Sequence, residues 1–371
     1  MPTEPETKSQ RLSAFLDRHG LDGALLTLRS NFAWITGGRD NHIANNSPVG
    51  VASILATKDG NRLCLANRIE APRMSGEELV GTGIETVEFS WHDHDSRQRA
   101  VREVIGGRKI AADSETFGLP LPHLPGDFNE LRWSLTPEEI ERYRDGGRRA
   151  AAAMERACRA ITPGISEHEA AGLLDHEMHA AEMNPLVTLV SSDERLPRYR
   201  HPIPTARKIR NYVMLVTCAE RGGLISCLTR FVRFAPPTAE ERAKQQAIAN
   251  IDAAVNLATR PGRTLGEIFD DLRRAYAANG HDGEWENHHQ GGSCGYQPRD
   301  VVAVPGSGVR ALANQAFAWN PSIVGAKCED TVLCTDAGIE VLTAHSAQWP
   351  TTTGQAGNGQ TLRRADVLVA A

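Results

Sequence analysis

The run Arg195-Leu196-Pro197-Arg198-Tyr199-Arg200-His201-Pro202 is well supplied with groups that do chemistry. An imidazole with an unperturbed pKa of ~6.5 serves as acid or base near neutral pH, so His201 is a candidate proton carrier. Arg198 and Arg200 could clamp a carboxylate through paired N–H donors; a solvated basic loop is the other reading of each. Downstream lie His288, His289, Gln290, Arg299, Asn320, Lys327 and Glu329. Either histidine of the His288-His289 pair could equally be a satisfied structural one. Cys227 could be a nucleophile if the fold brings a histidine and cations close to it, because such neighbours favour the thiolate. Most cysteines in a chain of this kind are small buried hydrophobes. The Cys-x-x-Cys spacing of structural zinc does not occur.

These groups need a scaffold, and 371 residues suffice for two domains with real cores. Hydrophobic residues at 40% and charged residues at 23% are ordinary for a globular protein. A net charge of -5, with arginines interleaved among acids, argues against a nucleic-acid surface. The polar start MPTEPETKSQ is no signal peptide, and no apolar run approaches the ~20 residues of a membrane span. Seven scattered cysteines suit reduced thiols in a cytoplasm.

Leu12, Phe15 and Leu16 recur at helical spacing between Lys8 and His19, and Gly20 ends that helix. Strand-like runs follow at Leu21–Leu28, Val51–Ala56, Arg62–Ala66, Thr86–Phe89 and Lys109–Ala112, with a turn expected over Asn31–Gly38. This is an α/β first domain. A new start is marked at Thr136-Pro137-Glu138-Glu139, with a capping hydroxyl, proline at the first position and acids in the first turn. Two helix-turn-helix plans, through Pro163-Gly164-Ile165-Ser166-Glu167 and Pro261-Gly262-Arg263-Thr264, suggest two related halves.

The hairpin YVMLVTCAERGGLISCLTRFVRF (212–234) and the run Lys327-Cys328-Glu329-Asp330-Thr331-Val332-Leu333 resemble the pita-bread metallopeptidases and their relatives: aminopeptidase P, prolidase and creatinase. The resemblance covers nearly the whole chain. It implies a fold of class α/β (α+β): a creatinase-like N-terminal domain near 1–130, a pita-bread domain near 131–350 and a tail over 351–371. It also implies a homodimer by analogy.

Matched position by position, the family's metal ligands fall on Val216, Cys227, Gly292, Asn320 and Glu329, and only the last is a family ligand. The resemblance therefore implies a chain without the family's metals or any other cofactor. His201 matches a cleft histidine of the family, and creatinase is a relative that hydrolyses a C–N bond without metal. On this basis the expected catalytic residues are His201 for proton transfer and Glu329 to orient water or bind an ammonium, with Cys227 as the alternative nucleophile. Substrate contacts are expected from Arg198, Arg200, His289, Gln290, Arg299, Asn320 and Lys327. The partner implied is a small amino-acid derivative bearing a carboxylate, with neither nucleic acid nor membrane involved. Hydrolysis of a C–N bond is the leading reaction. Elimination, isomerisation and a purely binding role stay open.

Overall fold

The computed structural model describes residues 2–370. The chain divides into two compact units: residues up to Arg132 together with Thr136–Glu139, and Trp133–Leu135 with the chain from Ile140 onward.

The first unit begins with α1 (Glu4–His19), where the Thr3 side chain accepts from Glu6 N and Gly20 closes the helix at φ 64°. It continues through β1 (Gly23–Leu28), α2 (Arg29–Thr36), β2 (Val49–Thr57) and β3 (Arg62–Asn67). A single turn α3 (Ala71–Arg73), β4 (Glu85–Phe89), α4 (His94–Ile105) and β5 (Ile110–Ala112) complete it. The strands form one sheet in the order β4-β3-β2-β1-β5. The stretch expected to be a turn is instead the helix α2. Phe32, Trp34 and Ile35 are all buried, and Gly37 ends the helix at φ 76°. Burial of that apolar face outweighs the turn signal of the glycines.

The second unit holds α5 (Pro137–Ala160) beyond its first turn, α6 (Glu167–Ala180), β6 (Asn184–Ser192), β7 (Tyr212–Arg221) and β8 (Leu224–Arg233). Then come α7 (Ala239–Ala258), α8 (Leu265–Ala278), β9 (Gly291–Cys294), β10 (Val301–Val302) and β11 (Gln315–Trp319). β12 (Ser322–Ile323), β13 (Ala326–Lys327), β14 (Asp330–Thr335) and β15 (Gly338–Val341) follow. The chain closes with β16 (Thr351–Gln355), β17 (Thr361–Ala365) and β18 (Leu368–Val369).

Its two main sheets run β18-β8-β7-β6 and β10-β9-β11-β14-β15. Each has its own apolar cluster: Met154, Leu174, Leu215 and Leu228 in one, Ile248, Leu272, Phe317 and Trp319 in the other. Capping boxes at Ser166–Glu169 and Thr264–Glu267 start α6 and α8 alike. The fold is thus mixed α/β, with a repeated helix-pair-on-sheet plan. Among the described residues, no helix is long and apolar enough to cross a membrane.

Of the residues read from sequence as a polar tail, 351–355, 361–365 and 368–369 are strands of this unit, and Ala371 lies outside the described residues. β16 lies so close on α7 that a Cβ at Gly354 would stand 2.1 Å from the Ala249 carbonyl oxygen. From β17, Arg364 enters the core at 1% exposure, its Nε 2.6 Å from Asp252 Oδ2 and its Nη2 3.0 Å from Asp330 Oδ2. Asp330 also pairs with Arg230 at 2.8 Å, so two arginines and two aspartates neutralise one another beneath the site. Removing one member strands buried charge. Arg364→Met should destabilise the protein by ~3–5 kcal/mol, read as a lower urea midpoint; a change under about 1 kcal/mol, the scale of an exposed pair, would refute the network's role.

Candidate active site

Two glycines at positive φ, Gly222 at 56° and Gly223 at 76°, make the tight turn between β7 and β8. That turn sets the register, with Val216 opposite Thr229 and Cys218 opposite Cys227, so all four side chains share one face. Thr331 locks the hairpin to the other sheet: its hydroxyl accepts from Cys227 N at 2.8 Å and donates to Cys227 O at 3.0 Å. Thr229 N donates to the Glu329 carbonyl oxygen at 3.1 Å. The two sheets thereby meet at Glu329.

The Glu329 carboxylate is 2% exposed and fully engaged. Arg299 Nη2 lies 2.9 Å from Oε1, Lys327 Nζ 2.8 Å from Oε2, and Thr229 Oγ1 donates to Oε2 at 2.8 Å. Burial alone would raise its pKa; Lys327 and Arg299 outweigh burial and bring it down to about 2. Two cations against one carboxylate leave one net positive charge. Arg299 also donates through Nη1 to Pro298 O at 2.6 Å and to Cys227 Sγ at 3.3 Å.

Beside this cluster stand three imidazoles. His201 Nε2 and His288 Nε2 are 3.0 Å apart, and His288 Nδ1 is 3.4 Å from Ser322 Oγ. His289 lies with its ring centroid 4.6 Å from that of His288 and 5.5 Å from that of His201. His288 is buried, whereas His201 and His289 are exposed. Burial, then the charge of Lys327, lowers the pKa of His201 below 6.5. Burial and Lys327 press His288 down to about 2, and burial and Arg299 press His289 down to about 4. At neutral pH all three rings are uncharged, and one of His201 and His288 donates the shared hydrogen bond while the other accepts it.

The structure brings His201, His289, Arg299, Lys327, Glu329 and Cys227 into this region, with partners that differ from several expectations. Glu329 has no oxygen left for an ammonium, since two side-chain cations already hold it. Cys227 is buried; burial would raise its pKa, but a hydrogen bond from Cys218, the largest influence, and Arg299 lower it. Its side chain meets Cys218, Arg299 and the Pro298 carbonyl rather than His201, so no Cys–His pair forms among the described residues. Gln290 is spent within the protein: its amide donates to Trp285 O and His288 O, and its oxygen accepts from Tyr276 OH. Arg200 is held by Glu284 at 3.1 Å, and Arg198 points to solvent. Asn320 is buried, and its Oδ1 has no protein donor among the described residues. The sequence placed His288 among the cavity's polar residues without a role of its own, and left out Ser322 and Thr229. The hydroxyls lie in plain view beside Asn320-Pro321 and Leu228, but nothing in their spacing reveals their partners.

The donor set at the five matched positions does not fit a two-metal centre. Val216 has no donor atom, Asn320 is neutral, and the space around Glu329 holds a guanidinium and an ammonium. Gly292 cannot even carry a side chain as folded: φ is 152°, and a Cβ would meet the Val301 carbonyl oxygen at 2.0 Å.

Replacing Glu329 by glutamine leaves two buried cations uncompensated, so Glu329→Gln should cost ~3–5 kcal/mol in urea unfolding at neutral pH. The sign with pH follows from a depressed carboxyl pKa. The wild-type advantage is full above the unfolded value of 4.5 and is lost as pH falls toward 2. A variant whose deficit does not shrink in acid would refute the clamp.

Against known proteins, the profile of metallopeptidase family M24 matches residues 141–336. An uncharacterized peptidase of Staphylococcus aureus (strain MW2) is 21% identical over 358 residues, covering 91% of this chain and 99% of the relative. The solved Xaa-Pro dipeptidase from Bacillus anthracis superposes with TM-score 0.74 at 20% identity, covering 98% of this chain and 99% of that one. X-Pro aminopeptidase from Thermotoga maritima MSB8 does so with TM-score 0.76 at 16% identity, covering 98% and 99%. At such identities these likenesses speak for the pita-bread fold alone. With more than half its length matched by the family profile, the chain belongs to metallopeptidase family M24.

Proposed function

We propose that this protein hydrolyses a C–N bond in a small amino-acid-derived molecule bearing a carboxylate, and that it does so without the two-metal centre of its family. One observation carries the reading: the hydrogen-bonded imidazole pair His201–His288 opens beside a cluster with net positive charge. A neutral His201 takes a proton from water as the oxygen attacks the carbon of the scissile bond. The imidazolium then returns that proton to the departing nitrogen, which leaves as an amine. His288, oriented by Ser322, positions His201 through the shared hydrogen bond.

Arg299 and Lys327 contribute through their excess charge, which attracts the substrate carboxylate and steadies an oxyanion. Asn320 Oδ1 is an acceptor that a substrate N–H satisfies, since an unmatched buried acceptor is costly. A recess lined by Leu196, Met214, Phe231 and Ile323 lies beside Lys327. Its 20 Å³ holds about one water, too little for an apolar side chain. Dipeptides with a free carboxylate are the first substrates to assay, the family being one of peptidases, followed by N-carbamoyl and guanidino amino acids.

A role in binding without turnover is the second reading, favoured by the complete engagement of Glu329.

His201→Ala should lower kcat by about 10²–10⁴-fold while the urea midpoint stays put. Chelator should leave wild-type turnover unchanged, and added manganese or cobalt should not raise it. Because a base works when deprotonated, kcat/KM should fall on the acid side with a midpoint below pH 6.5. Turnover that vanishes with chelator and returns with manganese would overturn the reading. No turnover on any substrate, with ligand binding kept in His201→Ala, would select the binding role.

A further inference from the structure

We infer that His201, His288 and His289 form a divalent-metal site of their own, separate from the five matched ligand positions and suited to a zinc-like ion. One nitrogen of each ring lies within 4.8 Å of the others, and the two Nε2 atoms of His201 and His288 are 3.0 Å apart. Metal–nitrogen bonds of ~2.0–2.1 Å in a tetrahedral site place ligand nitrogens roughly 3.3–3.4 Å from one another. Small rotations of the two exposed rings reach that spacing. His288 is the fixed point: it is buried, and Ser322 Oγ at its Nδ1 leaves Nε2 facing the other rings. An outer contact of this kind commonly orients a metal-binding imidazole.

Three imidazoles without a carboxylate select zinc, copper(II) or nickel over the oxygen-seeking manganese and magnesium. A tetrahedral ion held by three imidazoles keeps a fourth position for water or an anion. Lys327 and Arg299 oppose a dication here, and Glu329 only partly offsets them. Loading is therefore reversible and follows the metal supply. Since metal and proton compete for the same nitrogen of His201, a bound ion removes the base. On the reading of His201 proposed above, zinc thus inhibits this protein; the site itself does not depend on that reading.

The test is a titration of chelator-treated, folded protein with cobalt(II), followed by its visible absorption and by heat, then displacement by zinc. One equivalent per chain with the intense bands of four-coordinate cobalt is expected. His289→Ala and His288→Ala should each abolish those bands, with circular dichroism confirming an intact fold. Ser322→Ala should weaken binding roughly 10–100-fold. Absence of the bands, or equal binding in both histidine variants, would overturn the site. Binding at the three histidines that leaves turnover untouched would uphold the site and instead remove His201 from the reaction.

Discussion

A carboxylate buried to 2% exposure is tolerable only with compensation, and the whole site is organised around compensating Glu329. Each of its oxygens is held by a different side-chain cation, with Thr229 completing the shell. At the position that resemblance makes a metal ligand, a guanidinium and an ammonium that the chain supplies itself hold the carboxylate. Side-chain cations and a metal ion differ in what they offer a site. A metal lowers the pKa of bound water, whereas arginine and lysine side chains supply charge and hydrogen bonds but no open coordination position.

The same constraint explains why the neighbouring charges are so fully paired. Asp330 follows Glu329 directly and would add a second buried negative charge. Arg230 and Arg364 neutralise it, and Arg364 also holds Asp252. One of those arginines comes from the C-terminal hairpin, so the last strands of the chain are part of the site's foundation. The close seating of Gly354 on α7 is what lets β17 reach inward.

Much of the scaffold was legible, because it rests on local rules: capping hydroxyls before α6 and α8, and glycine pairs at tight turns. Residue type at Val216, Cys227, Gly292 and Asn320 was equally open to reading, since it needs no knowledge of partners. Partner choice was not. Sequence counts Arg299, Lys327 and Gln290 as polar groups available to a substrate; only the fold shows that they are committed to Glu329, Tyr276 and backbone carbonyls. The helix over Arg29–Thr36 was missed for a related reason, since its signal is tertiary burial rather than local propensity.

What is left for chemistry follows from charge balance. Burial, and after it the excess positive charge, pushes against protonated imidazole, and so His201, His288 and His289 are neutral bases rather than cations. A cleft with metals would hold those rings near dications and use metal-bound water as its nucleophile. Here the exposed rings of His201 and His289 are basic groups beside a surplus cation, an arrangement that can move protons and attract an anion at once. The clamp on Glu329 and the basicity of His201 are therefore one design: relaxing the first would alter the second even though no hydrogen bond joins them.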